Sequence, residues 1–446
     1  MSVTTLTITA DVPALDDARC GWAEFESWLV AMREELPVSA LAEALDEAQE
    51  KLIDSVCGPK WIPTRGLPAP FLCPRCQADA DFARKGRRTR PRKIHTAAGV
   101  VELRLWNVGC RGCGRVFAPM LFMLGLHNKR RTDRLTVDLA ELGLQMSFAR
   151  AAAVASSFGV PVTAGRAHHA VADVAGLLSG QHGLGAADGD AAASVVLIDG
   201  TGVRAGSQRL GTSCNIALAL DARTGPRRRR RAHVRMLAAE VGQGWPEIER
   251  QLTGQPAPGL VVVDGELAIT EMVTRVWPAS KIQRCWWHLP HGLSKALYFD
   301  RERNPLVKQA VGDLRELLRD AYRLNLTPEE ALDAYDTFRA QFSTEHASLF
   351  LGVARPHVFT CLDPVLHSRL SAVSGPELGT GVLERQMREL NARTDIGGSR
   401  WSVSGLRDLV QLLLARATHH PAWVSLWRET HQPNAIPFEL AKFNAC

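Results

Sequence analysis

The sequence predicts a mixed α/β protein of roughly two to four domains. Three observations support this prediction: two Cys-x-x-Cys pairs, three consecutive helical patterns, and two short apolar runs that each end in Asp-Gly. Cysteine pairs at this spacing are typical of small zinc-stabilised modules, and apolar runs that end in a carboxylate are typical of buried strands. A chain of 446 residues, 46% of them hydrophobic, can bury a separate core in each domain.

Charge is distributed unevenly along the chain. Residues 1–56 contain 12 acidic and 3 basic side chains, a net charge of −9, so the remainder carries +15 within the overall +6. Such a basic bulk favours a polyanionic partner. No run of 18 uncharged apolar residues predicts a membrane span, and Asp11, Asp16 and Asp17 stand where a secretion signal would be basic. We therefore expect a cytoplasmic protein with no membrane partner, whose cysteines ligate metal or lie buried.

The N-terminal region is predicted to be helical. Apolar residues from Trp22 to Met32 recur at helical spacing, and a second helix is predicted over Val38 to Ser55. We interpret the acidic face of this region as a solvated surface rather than a binding site. The Pro- and Gly-containing stretch from Pro59 to Pro70 marks its boundary.

Two Cys-x-x-Cys pairs follow, formed by Cys73 with Cys76 and by Cys110 with Cys113. Each pair can present two thiolates to one tetrahedral zinc ion. The 33 residues between the pairs are enough for an antiparallel ribbon that brings them together. Four unrelated buried cysteines are the alternative. The sequence therefore predicts a zinc ribbon that holds Zn²⁺.

A basic stretch lies inside the predicted ribbon. Seven of the ten residues from Arg84 to Lys93 are Lys or Arg, a density that favours phosphate contacts over a merely solvated face. The predicted DNA-contacting residues of this stretch are Arg84, Lys85, Arg87, Arg88, Arg90, Arg92 and Lys93.

Three helical patterns come next, over Leu135 to Met146, Ser147 to Ser157 and Ala164 to Leu178. A Gly-containing turn separates the second from the third, and Thr163 can cap the third. This is the layout of a helix-turn-helix, whose last helix enters the major groove of DNA; an ordinary helical bundle is the alternative. The predicted base-reading residues are Arg166, His168 and His169.

Strands and helices alternate after a Gly- and Ala-rich linker over Ser179 to Ala192. Three strands, a helix, a strand, a helix and a strand give the element order of a ribonuclease H-like core. Asp199-Gly ends the first strand, and Asp264-Gly ends the fourth strand 65 positions later. In that fold these two strands are neighbours, so the two carboxylates can share a metal ion.

Other boundaries of this core are also predicted from the pattern. The second strand is expected over Thr212 to Leu220, with a turn at Asp221 to Gly225, and the fifth strand over Lys281 to Trp287. The five consecutive arginines from Arg227 to Arg231 either hold phosphates or form a solvated loop.

A third carboxylate is expected from a helix that follows an all-helical insertion over Leu297 to Leu370. Thr380 can cap a helix that carries Glu384 one turn in, and Glu377 and Glu389 are rival candidates. Two arginines on the same helix, Arg385 and Arg388, are expected to contact phosphates.

These motifs resemble those of bacterial insertion-sequence transposases related to the eukaryotic Mutator elements. The resemblance spans roughly residues 70–420 and rests on the two Asp-Gly strand ends, the helical insertion, and Glu384-Arg followed by Arg393-Thr. It implies a DDE active site in which Asp199, Asp264 and Glu384 hold two Mg²⁺ or Mn²⁺ ions.

A Cys-x-x-His pair formed by Cys285 and His288 also matches this family. The resemblance implies that the pair lies beside the active site, either as packing or as metal ligands. Trp286 and Trp287 stand between them, and we interpret both as core residues rather than as residues that stack a flipped base.

The resemblance implies a DNA transposase. Such an enzyme hydrolyses DNA at the element's end and then joins the exposed 3′-OH to target DNA by two-metal chemistry. The implied partners are double-stranded DNA, as terminal repeats and as target, and further copies in a homodimer or higher oligomer. The implied location is the nucleoid of a bacterial cytoplasm. Two alternatives stay open: a catalytically inactive DNA-binding regulator derived from a transposase, and a structure-specific recombination nuclease.

The sequence thus predicts six segments in order. They are an acidic helical region (1–66), a zinc ribbon (67–122), a helix-turn-helix region (123–185), the first part of the core (186–295), the helical insertion (296–371), and the last part of the core with the C-terminal helices (372–446).

Overall fold

The computed structural model describes residues 22–181, 193–203, 212–224, 231–367, 381–395 and 401–431. These residues divide into two compact units: the first runs to Asp173 and includes Thr430 and His431, and the second runs from Val174 to Glu429. Each unit has its own hydrophobic core. Among the described helices, none combines the length and apolarity that crossing a bilayer requires.

The first unit begins with one long helix, α1 (Trp22–Cys57). The prediction of two helices was wrong, because Pro37 lies inside α1 and does not end it. A proline inside a helix removes a backbone hydrogen bond and costs about 3 kcal/mol. Val38, Leu41 and Leu45 pack against a buried cluster of the following strands, and this burial offsets the cost.

The region between the cysteine pairs forms two small antiparallel sheets. Their strands are β1 (Phe82–Arg87), β2 (Arg92–Thr96), β3 (Gly99–Leu103), β4 (Trp106–Cys110) and β5 (Val116–Phe117). One sheet has the order β1-β4-β5, and the other pairs β2 with β3. Phe82 lies opposite Cys110, so the second cysteine pair returns to the first, which confirms the predicted antiparallel ribbon.

Four helices complete the described part of the first unit. They are α2 (Pro119–Met123), α3 (Asp133–Gln145), α4 (Phe148–Ser157) and α5 (Ala164–Gln181), the last of which continues into the second unit. Side-chain oxygens of Thr132, Ser147 and Thr163 accept backbone hydrogen bonds at the starts of α3, α4 and α5. The three helices predicted here are confirmed, with starts within two residues of the expected ones.

The second unit is built on a five-stranded mixed sheet with two helices between its strands. These elements are β6 (Val195–Val203), β7 (Thr212–Thr224), β8 (Arg231–Val241), α6 (Trp245–Leu252), β9 (Leu260–Val263), α7 (Leu267–Val276) and β10 (Lys281–Arg284). The strand order is β10-β9-β6-β7-β8. β7 runs antiparallel to both neighbours, whereas β6, β9 and β10 are parallel. The predicted succession of strands and helices is confirmed.

Several strand boundaries differ from the prediction. Asp199-Gly does not end the first strand, because β7 pairs with β6 as far as Val203. β7 continues through the expected turn at Asp221 as far as Thr224, because β8 keeps pairing with it. The last strand ends at Arg284 rather than at Trp287. A new helix begins four residues later, at His288, and this ends the extended conformation.

The rest of the described chain is helical. Its helices are α8 (His288–Phe299), α9 (Asn304–Arg323), α10 (Pro328–Arg339), α11 (Glu345–Ala354), α12 (Gly381–Thr394), α13 (Val403–Ala417) and α14 (Pro421–His431). α10 begins with a full capping box between Thr327 and Glu330. Asp300, directly after α8, accepts hydrogen bonds from the backbone N–H groups of His346 and Ala347 and so holds the start of α11.

Candidate active site and metal centre

Asp199 and Asp264 lie at the same end of the parallel ladder between β6 and β9, which we call the aspartate edge of the sheet. Ile198 pairs with Val263 in the parallel β6–β9 ladder, and each aspartate is the next residue of its chain segment. Neighbouring strands lie about 4.8 Å apart, so the carboxylates are attached to adjacent points of the sheet. Asp199 is 4% exposed, and its Oδ1 accepts a hydrogen bond from Gly200 N–H at 2.8 Å. Asp264 Oδ1 accepts one at 2.8 Å from the backbone N–H two residues later.

The glycine after each aspartate is required by close packing. A Cβ atom on Gly200 would lie 2.7 Å from Asn215 Oδ1 and 3.2 Å from the Trp245 ring. Gly265 has a φ of +91°, and a Cβ atom there would overlap the Arg284 guanidinium group. Crowding therefore accounts for the glycine of both Asp-Gly motifs, whereas turn formation with a positive φ applies only to Gly265.

Arg284 is a residue of this region that the sequence analysis missed. Its guanidinium group packs over Gly265 and lies 5.5 Å from the centroid of the Phe350 ring. Burial lowers the pKa of Arg284, and the negative charge of Asp264 opposes this shift. Within the described residues, its buried Nε has no hydrogen-bond partner. A single arginine at a strand end gives no sequence signal, so only its packing identifies it.

Trp286 and Trp287 have different surroundings. Trp286 Nε1 donates a hydrogen bond to the Val358 carbonyl oxygen at 2.7 Å, and its ring contacts the Phe359 ring edge-on, in agreement with the core interpretation. Trp287 is 55% exposed, so the core interpretation was wrong for this residue. Its position in the turn between β10 and α8 explains the exposure, since no strand neighbour covers it.

Cys285 and His288 lie next to the aspartate edge of the sheet. Cys285 is buried, and its backbone N–H donates a hydrogen bond to the Val263 carbonyl oxygen at 2.8 Å. His288 Nε2 lies 3.8 Å from Asp199 Oδ2, which is longer than a direct hydrogen bond. Among the residues that the structure describes, Cys285 and His288 belong to no group of three or more potential metal ligands.

Helix α12 carries Glu384 and contacts β6, the strand of Asp199. The side chain of Glu384 lies outside the described part of the chain, as does the whole of its rival Glu377. The other rival, Glu389, is exposed. The helix buries Leu383, Met387 and Leu390 and exposes Arg385 and Arg388.

The four cysteines of the two Cys-x-x-Cys pairs form one cluster. Their sulfur atoms all lie within 4.8 Å of one another, and the Cys73–Cys113 and Cys76–Cys110 Sγ atoms are each 3.6 Å apart. A tetrahedral zinc ion with bonds of about 2.3 Å would set neighbouring sulfurs about 3.8 Å apart, so this cluster could hold zinc.

Local donors favour the thiolate form of Cys73. Burial opposes its ionisation, but hydrogen bonds from the backbone N–H groups of Cys76 and Arg75 and from the neighbouring thiols outweigh burial and lower the pKa of Cys73 to about 7. The knuckle backbone therefore favours ionisation of Cys73, and the ionised thiolate is the form in which a cysteine binds a metal.

Part of the basic stretch of the ribbon pairs with α1. Arg84 forms an ion pair with Asp54, and Arg87 forms one with Glu50 and another with Asp46 at 3.1 Å. The interpretation of the acidic face of α1 as a solvated surface was therefore wrong for these three acidic residues, which pair with the ribbon. These ion pairs could not be predicted from local patterns, because the partners lie about 30 to 40 residues apart.

The remaining basic residues of this stretch have varied surroundings. Arg92 Nη2 donates hydrogen bonds to the Leu126 and Lys129 carbonyl oxygens at 3.0 and 2.7 Å. Lys93 Nζ lies 2.8 Å from Glu102 Oε1. Three further side chains of the stretch are exposed and form no ion pair within the described residues. They are Lys85, Arg88 and Arg90.

The predicted base-reading residues lie in the first two turns of α5. Arg166 and His169 are exposed, and Arg166 Nη1 lies 3.2 Å from His95 Nε2. His168 is partly buried against the Phe148 ring. Of the five consecutive arginines, residues 227–230 lie outside the described part of the chain and the fifth begins β8.

No protein-family model matches the chain, and no curated protein matches it. Among solved structures, one similar chain belongs to a "Drosophila P element transposase strand transfer complex". The two chains are 10% identical, and the match covers 66% of this chain and 94% of that chain at a TM-score of 0.38. A likeness at this TM-score supports no inference about family, activity or partners.

Proposed function

We propose that the chain is a DNA transposase whose second unit is a ribonuclease H-like catalytic core. The observation that carries the proposal is the sheet edge, where Asp199 and Asp264 directly follow paired residues of the adjacent parallel strands β6 and β9. The strand order β10-β9-β6-β7-β8, with β7 alone antiparallel to β6, supports the same core. Glu384 is the proposed third acidic residue, because α12 contacts β6.

The residues at this edge fit a hard divalent cation. Both aspartates offer carboxylate oxygens, the ligands that Mg²⁺ and Mn²⁺ prefer, and backbone N–H groups orient both groups before any cation binds. Two such ions would supply activation of a water or 3′-hydroxyl nucleophile and stabilisation of the leaving oxygen. Cys285 and His288 are softer ligands, and we assign them to packing beside the site.

The protein's own side chains would hold the DNA strand at this edge. Arg385 and Arg388 are exposed on α12, the helix that also carries Glu384, and can contact phosphates on either side of the reacting one. Arg284 lies beside Asp264 and keeps the turn after β9 in place through its contact with Gly265. Buried strand residues fix the positions of both aspartates, so the site needs little rearrangement when DNA binds.

The first unit would recognise the ends of the element. A zinc-stabilised ribbon and a helix-turn-helix formed by α4 and α5 would place α5 in the major groove of double-stranded DNA. Terminal repeats would be recognised by the first unit, and the carboxylates would act on the element ends and then on target DNA. Because two ends must be joined, we propose that the active form contains at least two copies of the chain.

The test is cleavage of a duplex that contains the genomic sequence flanking the coding region, with Mg²⁺ present. We expect Asp199→Asn, Asp264→Asn and Glu384→Gln each to lower the cleavage rate by about 10³-fold or more while DNA binding and zinc content remain. Asp313→Asn, at an exposed aspartate of α9, is the matched control and should cleave normally. Wild-type protein that binds this duplex but never cuts it would instead support the inactive regulator, and full activity in Asp264→Asn would remove the proposed mechanism.

A further inference from the structure

Two clefts in the first unit share one residue, Arg130. The larger, of about 580 Å³, is lined by the segment from Arg88 to Lys93 together with Arg130. The smaller, of about 340 Å³, is lined by His95, Arg130, Arg131 and residues of α5. The two clefts therefore adjoin at Arg130, between the ribbon and the first turns of α5, and we call them together the basic groove.

A backbone pairing outside the main sheets builds this groove. His95 of β2 forms a parallel bridge with Arg131: His95 N–H donates to the Arg130 carbonyl oxygen at 2.8 Å, and Thr132 N–H donates to the His95 carbonyl oxygen at 3.0 Å. The segment before α3 is thus fixed at the edge of the β2–β3 hairpin. Arg130 belongs neither to the motif of the ribbon nor to that of the helix-turn-helix. This pairing holds it between β2 and the start of α3.

Arg131 attaches α5 to the same edge. Its Nη1 donates to the Arg166 carbonyl oxygen at 2.8 Å, and its Nη2 lies 2.6 Å from Asp173 Oδ2. Asp173 is the one acidic residue among those lining the two clefts, and Arg131 neutralises it. The other charged residues lining the clefts are cationic, so the groove has a strong positive potential.

One of the two histidines that line the groove, His95, responds to this potential. Burial is the largest cause that lowers the pKa of His95, and the positive charges of Arg166, Arg131, Arg130 and Lys93 lower it further. Within the described residues, His95 Nδ1 has no hydrogen-bond partner. An anion placed in the groove would offset this concentration of positive charge.

We propose that the basic groove binds the backbone phosphates of duplex DNA, with Arg90 and Arg130 as principal contacts and with α5 entering the adjacent major groove. This assignment rests on the DNA-binding part of the proposed function and does not depend on catalysis. In this proposal the ribbon and the helix-turn-helix form one DNA-binding surface, whereas the sequence predicts two separate DNA-binding elements. Arg90 and Arg130 are exposed, and within the described residues neither guanidinium group forms an ion pair, so both can take up phosphate without breaking an internal contact.

The test measures binding of a labelled 30-base-pair duplex to the full chain carrying Asp199→Asn, which prevents cleavage, at a series of NaCl concentrations. Each lost phosphate contact should lower the slope of log K against log salt by about 0.9. We expect the double variant Arg90→Ala, Arg130→Ala to lose about 1.8 from the slope and to bind at least tenfold more weakly near physiological salt. Zinc content and the thermal unfolding temperature should match those of the parent.

The matched control is the double variant Arg65→Ala, Arg115→Ala, which removes two exposed arginines of the same unit that line neither cleft. It should keep the parental slope. An unchanged slope in the groove variant, with the parent still binding DNA, would overturn the groove and leave the proposed catalysis untouched. Tighter binding of a duplex RNA of the same sequence would also overturn the groove's assignment to DNA. A parent that binds no duplex at all would overturn both this proposal and the proposed function.

Discussion

The four-cysteine cluster and the aspartate pair are both candidate metal sites, but they are assembled in different ways. The cluster takes two ligands from each of two short motifs, and one antiparallel pairing between β1 and β4 brings all four sulfurs within 4.8 Å. The aspartates come from two strands 65 positions apart and meet only through the β6–β9 register. Their proposed third partner, Glu384, comes from a helix beyond a long helical region. The cysteine cluster is therefore encoded locally, whereas the proposed carboxylate site depends on the whole fold of the second unit.

This difference predicts that the two sites can be disrupted independently. Cys73 and Cys110 of the cluster are buried in a core of the first unit with Phe71, Phe82 and Phe117, whereas Cys76 is exposed. The aspartates lie on a sheet whose core is formed by α6 and α7 of the second unit. Damage to the cluster should unfold the first unit, while damage to the aspartates should abolish chemistry and leave the fold intact.

The largest expected effect concerns the cluster. Cys113→Ser should release zinc and unfold the first unit, because apparent zinc-binding free energies of about 10 kcal/mol or more stabilise small zinc modules. Zinc stoichiometry and limited proteolysis measure this effect. Cys57→Ala is the control, since Cys57 is buried in the same core but is not a member of the cluster, and it should retain one zinc ion. Cys113→Ser protein with a protease-resistant first unit would show that the cluster is only a packing feature.

An intermediate effect is expected at Arg284. Arg284→Ala should lower the cleavage rate by about 10²-fold, because the turn after Asp264 loses its packing and the site loses a buried cation. Arg284→Lys should recover only part of the rate, since an ammonium group cannot stack flat on Phe350. The rate as a function of Mg²⁺ concentration separates the two roles: a positioning role raises the concentration needed for half-maximal rate. Wild-type rates in Arg284→Ala would exclude both roles.

The smallest effect is expected at the ion pairs between α1 and the ribbon. Arg87→Ala should lower the free energy of unfolding by about 1 kcal/mol or less, because its partners Asp46 and Glu50 are partly exposed to solvent. The salt dependence of DNA binding should change less than for Arg90→Ala, since Arg87 is already paired. Chemical denaturation and binding titrations of the two variants give this comparison. An equal loss of slope in both would show that Arg87 leaves its acidic partners to contact phosphate.

Much of the architecture could be predicted because it depends on local patterns. Apolar runs, caps and the cysteine spacing located the ribbon, α3 to α5 and the succession of strands and helices in the second unit. The continuity of α1 could not be predicted, since the packing that tolerates Pro37 involves residues more than 50 positions away. β7 was predicted too short because its last residues are stabilised by pairing with β8 rather than by their own propensity.

Arg284 and Arg130 could not be predicted from the sequence, and the reason is the same for both. Arg284 gains its environment from Gly265 and Phe350, and Arg130 gains its environment from a bridge between His95 and Arg131. Neither arginine belongs to a periodic pattern or a spaced motif, so only tertiary contacts distinguish it from a solvated surface residue.

The most direct test of the central claim maps the cation site on the protein itself. Zinc-loaded protein is incubated with Fe²⁺ in place of Mg²⁺, with ascorbate and peroxide, so that radicals cut the backbone next to the bound ion. We expect cuts in three segments, around Asp199, Asp264 and Glu384, that excess Mg²⁺ suppresses and Asp264→Asn removes. Cuts that are confined to other segments, or that persist in Asp264→Asn, would contradict a shared carboxylate site.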